Sequence, residues 1–394
     1  MNVVRLGVIG IGNMGSEHCR TILAGKVAGL RITAVADRRE DRRRWAEEAF
    51  AKSAAVFSEG EELIDSGLCD AVLIATPHYQ HPTLAIKAFS KGLDVLSEKP
   101  IGVYTKEVRR EIEAAQKSGR TFALMFNQRT NCVYRKLREI IESGELGIVK
   151  RVNWTITDWY RTQRYYDSGT WRATWAGEGG GALINQCPHQ LDLLWWLFGM
   201  PTKIRAFCHI GKWHKIEVED DVTAYMEFPS GATGVFITST ADLPGVNRLE
   251  VTFDRGRIIC DGSSLELWRI PVSEREFCFT SEDAFGVVEK THEKIETDGE
   301  NPQHLGVLRA FALHILTGAP LIAEGAEGIN SLMISNAMYL SSWEGKDVSL
   351  PIDEDEFLKL LDEKRAHSAI KTGKDVTYKT DHSFGGQILP EDKA

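Results

Sequence analysis

The sequence contains no long apolar run, no excess of basic residues and no paired-cysteine motif. No apolar segment approaches the roughly 20 residues that cross a bilayer, and the N-terminus enters a strand pattern without the charged region and cleavage site of a signal peptide. The seven cysteines are scattered and form no CxxC pair, which indicates reduced thiols rather than a disulfide framework or a zinc site. We therefore expect a cytoplasmic protein that needs no metal.

The charge balance narrows the choice of partner. A formal net charge of −9 argues against nucleic acid or an anionic membrane as the main partner. With 394 residues, 43% of them hydrophobic and 26% charged, the chain has an ordinary globular composition and room for two or three domains. A small molecule is therefore the expected partner.

The first third of the chain alternates short apolar strands with helices, as in a doubly wound parallel sheet. Its first strand, residues 3–9, leads into the loop Gly10-Ile11-Gly12-Asn13-Met14-Gly15 and then into a helix. Glycines at this spacing allow a tight turn and place a pyrophosphate at the helix N-terminus. The second strand ends in Asp37, where a carboxylate accepts hydrogen bonds from ribose hydroxyls and repels a 2′-phosphate. This pattern favours NAD as the cofactor.

A cluster of arginines directly after that aspartate offers an argument for NADP. A 2′-phosphate could be held by Arg38, Arg39, Arg42, Arg43 and Arg44. These arginines alternate with acidic residues, however, which is more typical of a solvated helix face. NADP is therefore the less favoured cofactor, and Arg38 is retained as a candidate cofactor contact.

Two polar segments follow later strands of the predicted parallel sheet. Thr76-Pro77-His78, with His81 close by, follows one strand, and Glu98-Lys99-Pro100 follows the next. Ligands of such sheets bind beyond the carboxyl ends of the strands, so we expect both segments beside the dinucleotide. A simpler interpretation of Lys99 is a strand-end lysine paired with Glu98.

The segment 171–192 combines tryptophans, three consecutive glycines and polar residues at helical spacing. Adjacent glycines give up packing and backbone entropy, so they indicate the close approach of a ligand. Pro188 suits the first turn of a helix, which predicts Asn185 as a cap just ahead of it and His189 in that first turn. The simpler interpretation is a glycine turn before a buried helix, with His189 as a core histidine. Asp192, one turn later, either orients His189 or is structural.

The rest of the chain changes to longer strands joined by hairpin turns, which indicates an antiparallel sheet. We predict an α/β Rossmann domain with a doubly wound parallel sheet at residues 1–127. A C-terminal α+β domain with an open-faced, mostly antiparallel sheet is predicted at residues 128–352, and a C-terminal extension at 353–394. The tail after residue 373 has little apolar content and is predicted to be an arm or disordered.

The chain resembles the Gfo/Idh/MocA oxidoreductases, the relatives of glucose–fructose oxidoreductase and inositol dehydrogenase, in four motifs: GIGNMG, ATPHYQHP, SEKP and GEGGGALINQCPHQLD. The resemblance covers roughly residues 3–350. It implies a Rossmann domain, an open-faced sheet that is often an oligomerisation surface, and NAD(P)-dependent redox chemistry on a sugar, polyol or glycoside. We therefore expect a homo-oligomer, a dimer or tetramer, formed through the second sheet.

The same resemblance implies roles for individual residues. His189 matches the catalytic histidine, and we predict that it is the principal acid/base while Lys99 donates a hydrogen bond to the reacting oxygen. Asn185 is counted as catalytic, although many family members carry Asp there and an amide cannot hold an imidazolium by charge. The predicted cofactor contacts are Gly10, Gly12, Asn13, Met14, Gly15, Asp37, Arg38, Thr76, Pro77, His78, His81, Glu98, Lys99, Gln128, Trp171 and Arg172.

Substrate contacts are expected from residues 158–175, which are rich in aromatic and cationic side chains. Aromatic faces beside polar groups suit a sugar ring, and clustered arginines suit an acidic substituent on that ring. Half of such a cluster could equally pack the loop against its own domain. The predicted substrate contacts are Lys99, Tyr160, Arg164, Trp175, Asn185, His189 and His304.

Three functions agree with these residues. The first is an NAD-dependent dehydrogenase that oxidises a ring hydroxyl of a sugar, polyol or glycoside. The second is a glycoside hydrolase in which tightly bound NAD oxidises a ring carbon, the aglycone is eliminated and the hydride returns. The third is a non-catalytic NAD(P)-binding regulator, which is the least favoured because Lys99 and His189 are both present.

Overall fold

The computed structural model describes residues 3–371, so the predicted tail after residue 373 lies outside the described residues. Within them, one sheet has six parallel strands: β1 (Val4–Ile9), β2 (Leu30–Ala36), β3 (Ala55–Phe57), β4 (Ala71–Ile74), β5 (Asp94–Ser97) and β6 (Phe122–Leu124). Their spatial order is β3-β2-β1-β4-β5-β6. The chain changes direction across the sheet between β1 and β4, and a ligand crevice is expected beyond the carboxyl ends of these two strands.

Helices cover both faces of this parallel sheet, which explains why β4 and β5 are buried along their whole length and why β4 contains only apolar residues. The helices are α1 (Asn13–Leu23), α2 (Glu40–Phe50), α3 (Gly60–Asp65), α4 (Gln80–Ser90) and α5 (Thr105–Ser118). The sequence pattern does not predict β3, because a strand of three residues is too short to show a periodicity.

The second sheet is long and mixed. In the described part of the chain its nine strands are β7 (Val149–Ile156), β8 (Lys203–Ile210), β9 (Glu219–Glu227), β10 (Thr233–Ser239), β11 (Asn247–Phe253), β12 (Gly256–Cys260), β13 (Leu265–Arg269), β14 (Thr291–Lys294) and β15 (Val348–Ser349). Their order is β14-β13-β12-β11-β7-β10-β9-β8-β15. The pair β7 and β10 is parallel, and the other neighbouring pairs are antiparallel. The predicted fold class, a Rossmann sheet followed by an open-faced, mostly antiparallel sheet, is confirmed.

The remaining helices are α6 (Cys132–Ser143), α7 (Gln163–Asp167), α8 (Ala182–Asn185), α9 (Pro188–Phe198), α10 (Glu274–Thr280), α11 (Gln303–Thr317), α12 (Gly328–Glu344) and α13 (Glu354–Ala366). Helix α12 packs against β8 and against α9. The alternation of β8 follows from this packing, since Ile204 and Ala206 are buried whereas Phe207, on the opposite face, is 51% exposed. None of the helices in residues 3–371 has both the length and the apolar character needed to cross a membrane.

Two late segments return to the first sheet. Helix α11 buries Leu308 and Phe311 in the same apolar cluster as Val8 of β1. Helix α13 lies against α5, where Glu354 pairs with Arg109 at 2.7 Å. These contacts tie the predicted second domain and C-terminal extension to the Rossmann sheet, and they bring residues near the start of α11 to the edge of the crevice.

Glu111 of α5 carries a buried carboxyl group, and the effect of its burial on the stability of the protein can be measured. Both of its side-chain oxygens are buried and have no hydrogen-bond partner among the described residues. Burial raises the pKa of Glu111 well above its ordinary value of 4.5, and the charge of Glu107 adds to the effect. The unfolded chain releases this proton more easily than the folded chain does. The free energy of unfolding is therefore highest below pH 4.5 and falls as the pH rises above 4.5.

We therefore expect Glu111→Met to raise the free energy of unfolding at neutral pH, by about 1.4 kcal/mol for each pH unit that separates the folded and unfolded pKa values. The gain should disappear as the pH approaches 4.5, the ordinary glutamate value. Urea unfolding across the pH range measures both effects. Glu113→Met is the matched control, because Glu113 lies on the same helix and its side chain is 62% exposed. A gain that does not change with pH would contradict the titration of Glu111.

Candidate functional site

A cavity of about 750 Å³ lies at the carboxyl ends of the parallel strands and extends to the second domain. It is lined by nearly all of the predicted site residues: Gly10, Gly12, Asn13, Met14, Asp37, Arg38, Thr76, Pro77, His78, His81, Glu98, Lys99, Tyr160, Arg164, Trp171, Arg172, Asn185, His189 and His304. Gly15, Gln128 and Trp175 are not among its lining residues. Segments that are far apart in the sequence therefore meet around one space.

The glycine loop between β1 and α1 forms one end of the cavity. Gly10 has a φ of +85°, and a Cβ there would lie 2.6 Å from the carbonyl oxygen of Ala75. A Cβ on Gly15 would lie 1.9 Å from the carbonyl oxygen of Gly10, so Gly15 closes the turn from outside the cavity. A Cβ on Gly12 would meet nothing within 4 Å, because that position faces open space. The loop thus offers backbone N–H groups and room for an anion at the start of α1.

Asp37 lies at the end of β2 and faces the same end of the cavity. Its carboxylate accepts hydrogen bonds from the backbone N–H groups of Ile11 and Arg39, each at 2.9 Å. Burial raises the pKa of Asp37, and these two hydrogen bonds oppose the rise. Arg38 pairs with Glu59 at 2.7 Å and Arg39 with Asp41 at 2.7 Å. Arg38 and Arg39 thus already have carboxylate partners, but they precede α2. Arg42 corrects the interpretation of the cluster as a solvated helix face, because it is 6% exposed and donates to Asn13 at 3.3 Å.

Lys99 and His189 meet in the middle of the cavity. The Nζ atom of Lys99 donates a hydrogen bond to the backbone carbonyl of Asn185 at 2.7 Å. Burial lowers the pKa of Lys99, and the charges of Glu98 and Glu178 oppose this change. Burial, reinforced by the charge of Lys99, lowers the pKa of His189 well below its ordinary value, so the ring is neutral at neutral pH. The Nδ1 atom of His189 is buried and has no hydrogen-bond partner among the described residues.

Glu98 is engaged by a histidine rather than by the neighbouring lysine. His18 Nε2 lies 2.6 Å from Glu98 Oε1, and both side chains are buried. Burial would raise the pKa of Glu98, but the hydrogen bond and charge of His18 outweigh it and lower the pKa to about 2. His304 stacks at a tilt beside His18 with 5.6 Å between ring centres, and burial lowers the pKa of His304 to about 4. The simple pairing of Lys99 with Glu98 is therefore not observed.

The two strand-end segments are joined by His81. One ring nitrogen of His81 faces the carbonyl oxygen of Pro100 at 2.8 Å, and the other faces that of Thr76 at 2.7 Å. His78 donates from Nδ1 to the backbone carbonyl of Glu178 at 2.9 Å. His81 thus holds the two loops beside each other, and His78 connects them to the glycine-rich segment.

Two sequence interpretations near His189 need correction. Asn185 does not cap α9, because it is the last residue of α8 and the N-cap position belongs to Cys187. Its side-chain amide instead donates to Glu178 and to the hydroxyl of Tyr165. Asp192 does not orient His189, since it binds Arg129 through both carboxylate oxygens at 2.6 and 2.8 Å.

Trp175 and Gln128 are also placed away from the cavity. The ring of Trp175 packs against Tyr339 and Trp343, with 5.6 Å between ring centres in each case, which corrects its predicted contact with substrate. Gln128 is buried and donates to the side chain of Gln303 at 3.2 Å, which corrects its predicted cofactor contact. The prediction for Trp175 followed from its proximity in the sequence to Trp171 and Arg172, which do line the cavity.

Glu178 is a functional candidate that the sequence analysis does not single out. Its carboxylate is 1% exposed, accepts from the amide of Asn185 and lies 3.6 Å from Arg172. Burial raises its pKa, and Arg172 opposes that rise. Glu178 thus places a carboxylate in direct contact with the side chain of Asn185. An acidic residue directly before three glycines was the available signal.

The C-terminal extension reaches the rim of the cavity. Lys371 donates from Nζ to the backbone carbonyl of Arg172 at 2.9 Å. Just before it, the backbone N–H of Ala369 donates to Glu217 at 2.7 Å, and Glu217 also accepts from the N–H of Trp175 at 2.8 Å. The extension therefore fixes the backbone of the segment that carries Trp171 and Arg172.

Comparisons with known proteins agree with this architecture. Residues 4–126 match the model of an oxidoreductase family with an NAD-binding Rossmann fold, and residues 134–259 match the GFO/IDH/MocA C-terminal domain. The chain is 25% identical over 355 residues to the myo-inositol 2-dehydrogenase of Thermotoga maritima, covering 88% of this chain and 98% of that protein. It is 30% identical over 201 residues to the inositol 2-dehydrogenase of Salmonella typhimurium, covering 51% and 56% of the two chains.

A solved structure shares the same fold. The WlbA dehydrogenase from Bordetella pertussis, in complex with NADH and UDP-GlcNAcA, superposes with a TM-score of 0.76 at 24% identity. The match covers 89% of this chain and 99% of that one. At this identity the likeness shows the fold alone.

Proposed function

Because the chain belongs to the Gfo/Idh/MocA oxidoreductase family, we propose that it is an NAD-dependent dehydrogenase that oxidises a ring hydroxyl of a sugar, polyol or glycoside. The observation that carries this proposal is the meeting of Lys99 and His189 in one cavity with the glycine loop and Asp37. The glycine loop and Asp37 suit a dinucleotide, and Lys99 and His189 suit the proton of an alcohol.

The residues at the dinucleotide end of the cavity fit NAD. The open position at Gly12 and the start of α1 would hold the pyrophosphate, and Asp37 would accept hydrogen bonds from the adenosine ribose. When bound, NAD supplies the acceptor for the hydride that leaves the substrate carbon. The protein must then hold that carbon in place and remove the hydroxyl proton.

His189 is the proposed general base. Its ring is neutral and lines the cavity, so it is able to accept the hydroxyl proton at neutral pH. Lys99 is the proposed donor to the reacting oxygen, with its amine held by the carbonyl of Asn185. The carboxylate of Glu178 accepts a hydrogen bond from the side-chain amide of Asn185. It thereby positions Asn185, whose backbone carbonyl binds the amine of Lys99. The proton passes from substrate oxygen to His189 while Lys99 stabilises the charge that develops on that oxygen.

The proposal is tested by adding NAD and a panel of sugars, inositols, sugar acids and aryl glycosides to the purified full chain. The formation of NADH is followed by absorbance, and the ketone product is identified by mass spectrometry. We expect NADH to accumulate with one substrate class. Tight NAD binding with no oxidation product from any class would overturn the dehydrogenase assignment.

Asp37 makes the preference for NAD over NADP testable. We propose Asp37→Ser, which removes the ribose acceptor and the charge that repels a 2′-phosphate. We expect the Kd for NADH to rise about tenfold and the Kd for NADPH to fall, because charge-assisted hydrogen bonds contribute roughly 1.5–3 kcal/mol. Fluorescence titration with both cofactors measures the ratio. The control is Asp41→Ser, whose carboxylate is exposed and pairs with Arg39. An unchanged ratio would refute the role of Asp37.

A further inference from the structure

Cationic side chains dominate the substrate end of the cavity. They are Lys99, Arg161, Arg164 and Arg172. The carboxylates that line the cavity lie elsewhere or are already engaged: Asp37, Glu59 and Glu61 lie at the adenosine end, and Glu98 is bound to His18. Glu178, which lies 3.6 Å from Arg172, and Asp158, whose carboxyl group is affected by the charge of Arg161, offset part of this charge. The substrate end still has more cationic than anionic side chains, in a protein whose formal net charge is −9.

Arg161 stands out in this group by its contacts. Its Nη1 atom donates to the neighbouring carbonyl of Tyr160 at 2.9 Å, and its guanidinium lies over the ring of Tyr165 at 5.0 Å. Its Nε atom is buried and has no hydrogen-bond partner in the described part of the chain. Within that part, no carboxylate lies within ion-pair distance of Arg161, although its charge acts on the carboxyl group of Asp158, and the nearby cation Lys99 adds repulsion. Arg161 lines the cavity, however, and its Nη2 atom donates to no group among the described residues, so this edge of the guanidinium is open to an acceptor from outside the chain.

The backbone of Arg161 is held from both sides. Its N–H donates to the carbonyl of Thr240 at 2.8 Å, and its own carbonyl accepts from His214 Nε2 at 2.9 Å. His214 in turn contacts Asp220 at 2.9 Å, with side chains that are 8% and 0% exposed. The loops that follow β8 and β10 thus hold the backbone from which the Arg161 side chain extends. This is the preorganisation that a specific binding contact needs.

We propose that the physiological substrate is a sugar acid and that Arg161 binds its carboxylate. This proposal rests on the dehydrogenase function proposed above. A planar guanidinium matches a carboxylate through paired hydrogen bonds, and the aromatic rings of Trp159 and Tyr165 flank the same guanidinium. The pyrophosphate of the cofactor has its own N–H donors at the opposite end, in the glycine loop. Arg161 is therefore the residue that selects an acidic ring over its neutral counterpart.

The test compares matched pairs of ligands by calorimetry on the full chain saturated with NADH. The pairs are glucuronate with glucose and galacturonate with galactose. We expect at least one acidic member to bind about tenfold to a hundredfold more tightly than its neutral counterpart. Arg161→Gln should remove this preference, and Arg161→Lys should keep part of it. The matched control is Arg248→Gln, on the second sheet, whose side chain is 51% exposed and pairs with Glu250.

The outcomes separate this proposal from the function on which it rests. Equal or tighter binding of the neutral sugars, absence of binding by both acids, or a preference that survives Arg161→Gln would overturn the role of Arg161. NADH formation from neutral sugars alone would refute the sugar-acid class while the dehydrogenase stands. A preference for acids that depends on Arg161, without NADH formation from any ligand, would refute the dehydrogenase while the anion site stands. Circular dichroism and NADH affinity confirm that each variant is folded.

Discussion

Replacing Lys99 with methionine is expected to lower kcat/KM by roughly 10²- to 10⁴-fold, the range typical of a lost proton-handling group. Methionine keeps the unbranched chain but removes the ammonium that would stabilise the developing charge on the substrate oxygen. The change also removes the hydrogen bond to the carbonyl of Asn185. Steady-state formation of NADH with the substrate found in the panel measures the loss.

The structure provides a way to distinguish a catalytic effect of Lys99 from a structural one. Lys99 is buried and burial lowers its pKa, so an apolar replacement should not reduce the melting temperature. The Kd for NADH should also change little, because the glycine loop and Asp37 are untouched. Lys91→Met is the control, since Lys91 is an exposed lysine paired with Asp65 at 2.8 Å. Retention of kcat/KM within about threefold of wild type would exclude Lys99 from the chemistry.

His189→Ala is expected to produce a loss of similar size, roughly 10²- to 10⁴-fold in kcat/KM, together with a changed pH profile. In the wild type the base must be neutral, so activity falls as the pH drops through the folded pKa of His189. Because that pKa lies well below the ordinary value of 6.5, the wild type should stay active when the pH falls below 6.5. The residual activity of the variant should lack this acid limb.

The control for His189 is His209→Ala, because His209 lies on β8 and its side chain is 49% exposed. Its pH profile should match that of the wild type. Two results would argue against His189 as the base: an acid limb that persists in His189→Ala, or a loss confined to KM. Lys99 would then be the remaining candidate to accept the proton, and its own variant would report that role.

Much of the dinucleotide half of the site can be read from the sequence. The glycine loop and Asp37 act through backbone geometry over a few residues and through the positions of two adjacent strands. A Cβ at Gly10 or Gly15 would strike backbone atoms, which ties those residue types to the turn whatever the rest of the chain does. The same is true of the strand-end positions of His78 and Lys99, because parallel strands bring their carboxyl ends to one edge.

The substrate half could not be read in the same way. Asn185 and Asp192 lie at helical spacing from His189, yet their partners are Glu178 and Arg129. Trp175 lies four residues from Trp171 and faces the aromatic core instead of the cavity. Helical spacing limits which side chains share a face, but it does not say which neighbouring element will cover that face.

The sequence by itself determined the fold class and the glycine loop, and its family resemblance indicated the two residues proposed to handle the proton. Only the tertiary structure decided which polar groups are paired and which are left for a ligand. The pairing of His18 with Glu98 joins residues 80 positions apart, and the bond between His214 and the carbonyl of Arg161 spans 53 positions. The physical reason is that hydrogen bonding and burial depend on the atoms that fold against a side chain, and these come from distant parts of the chain.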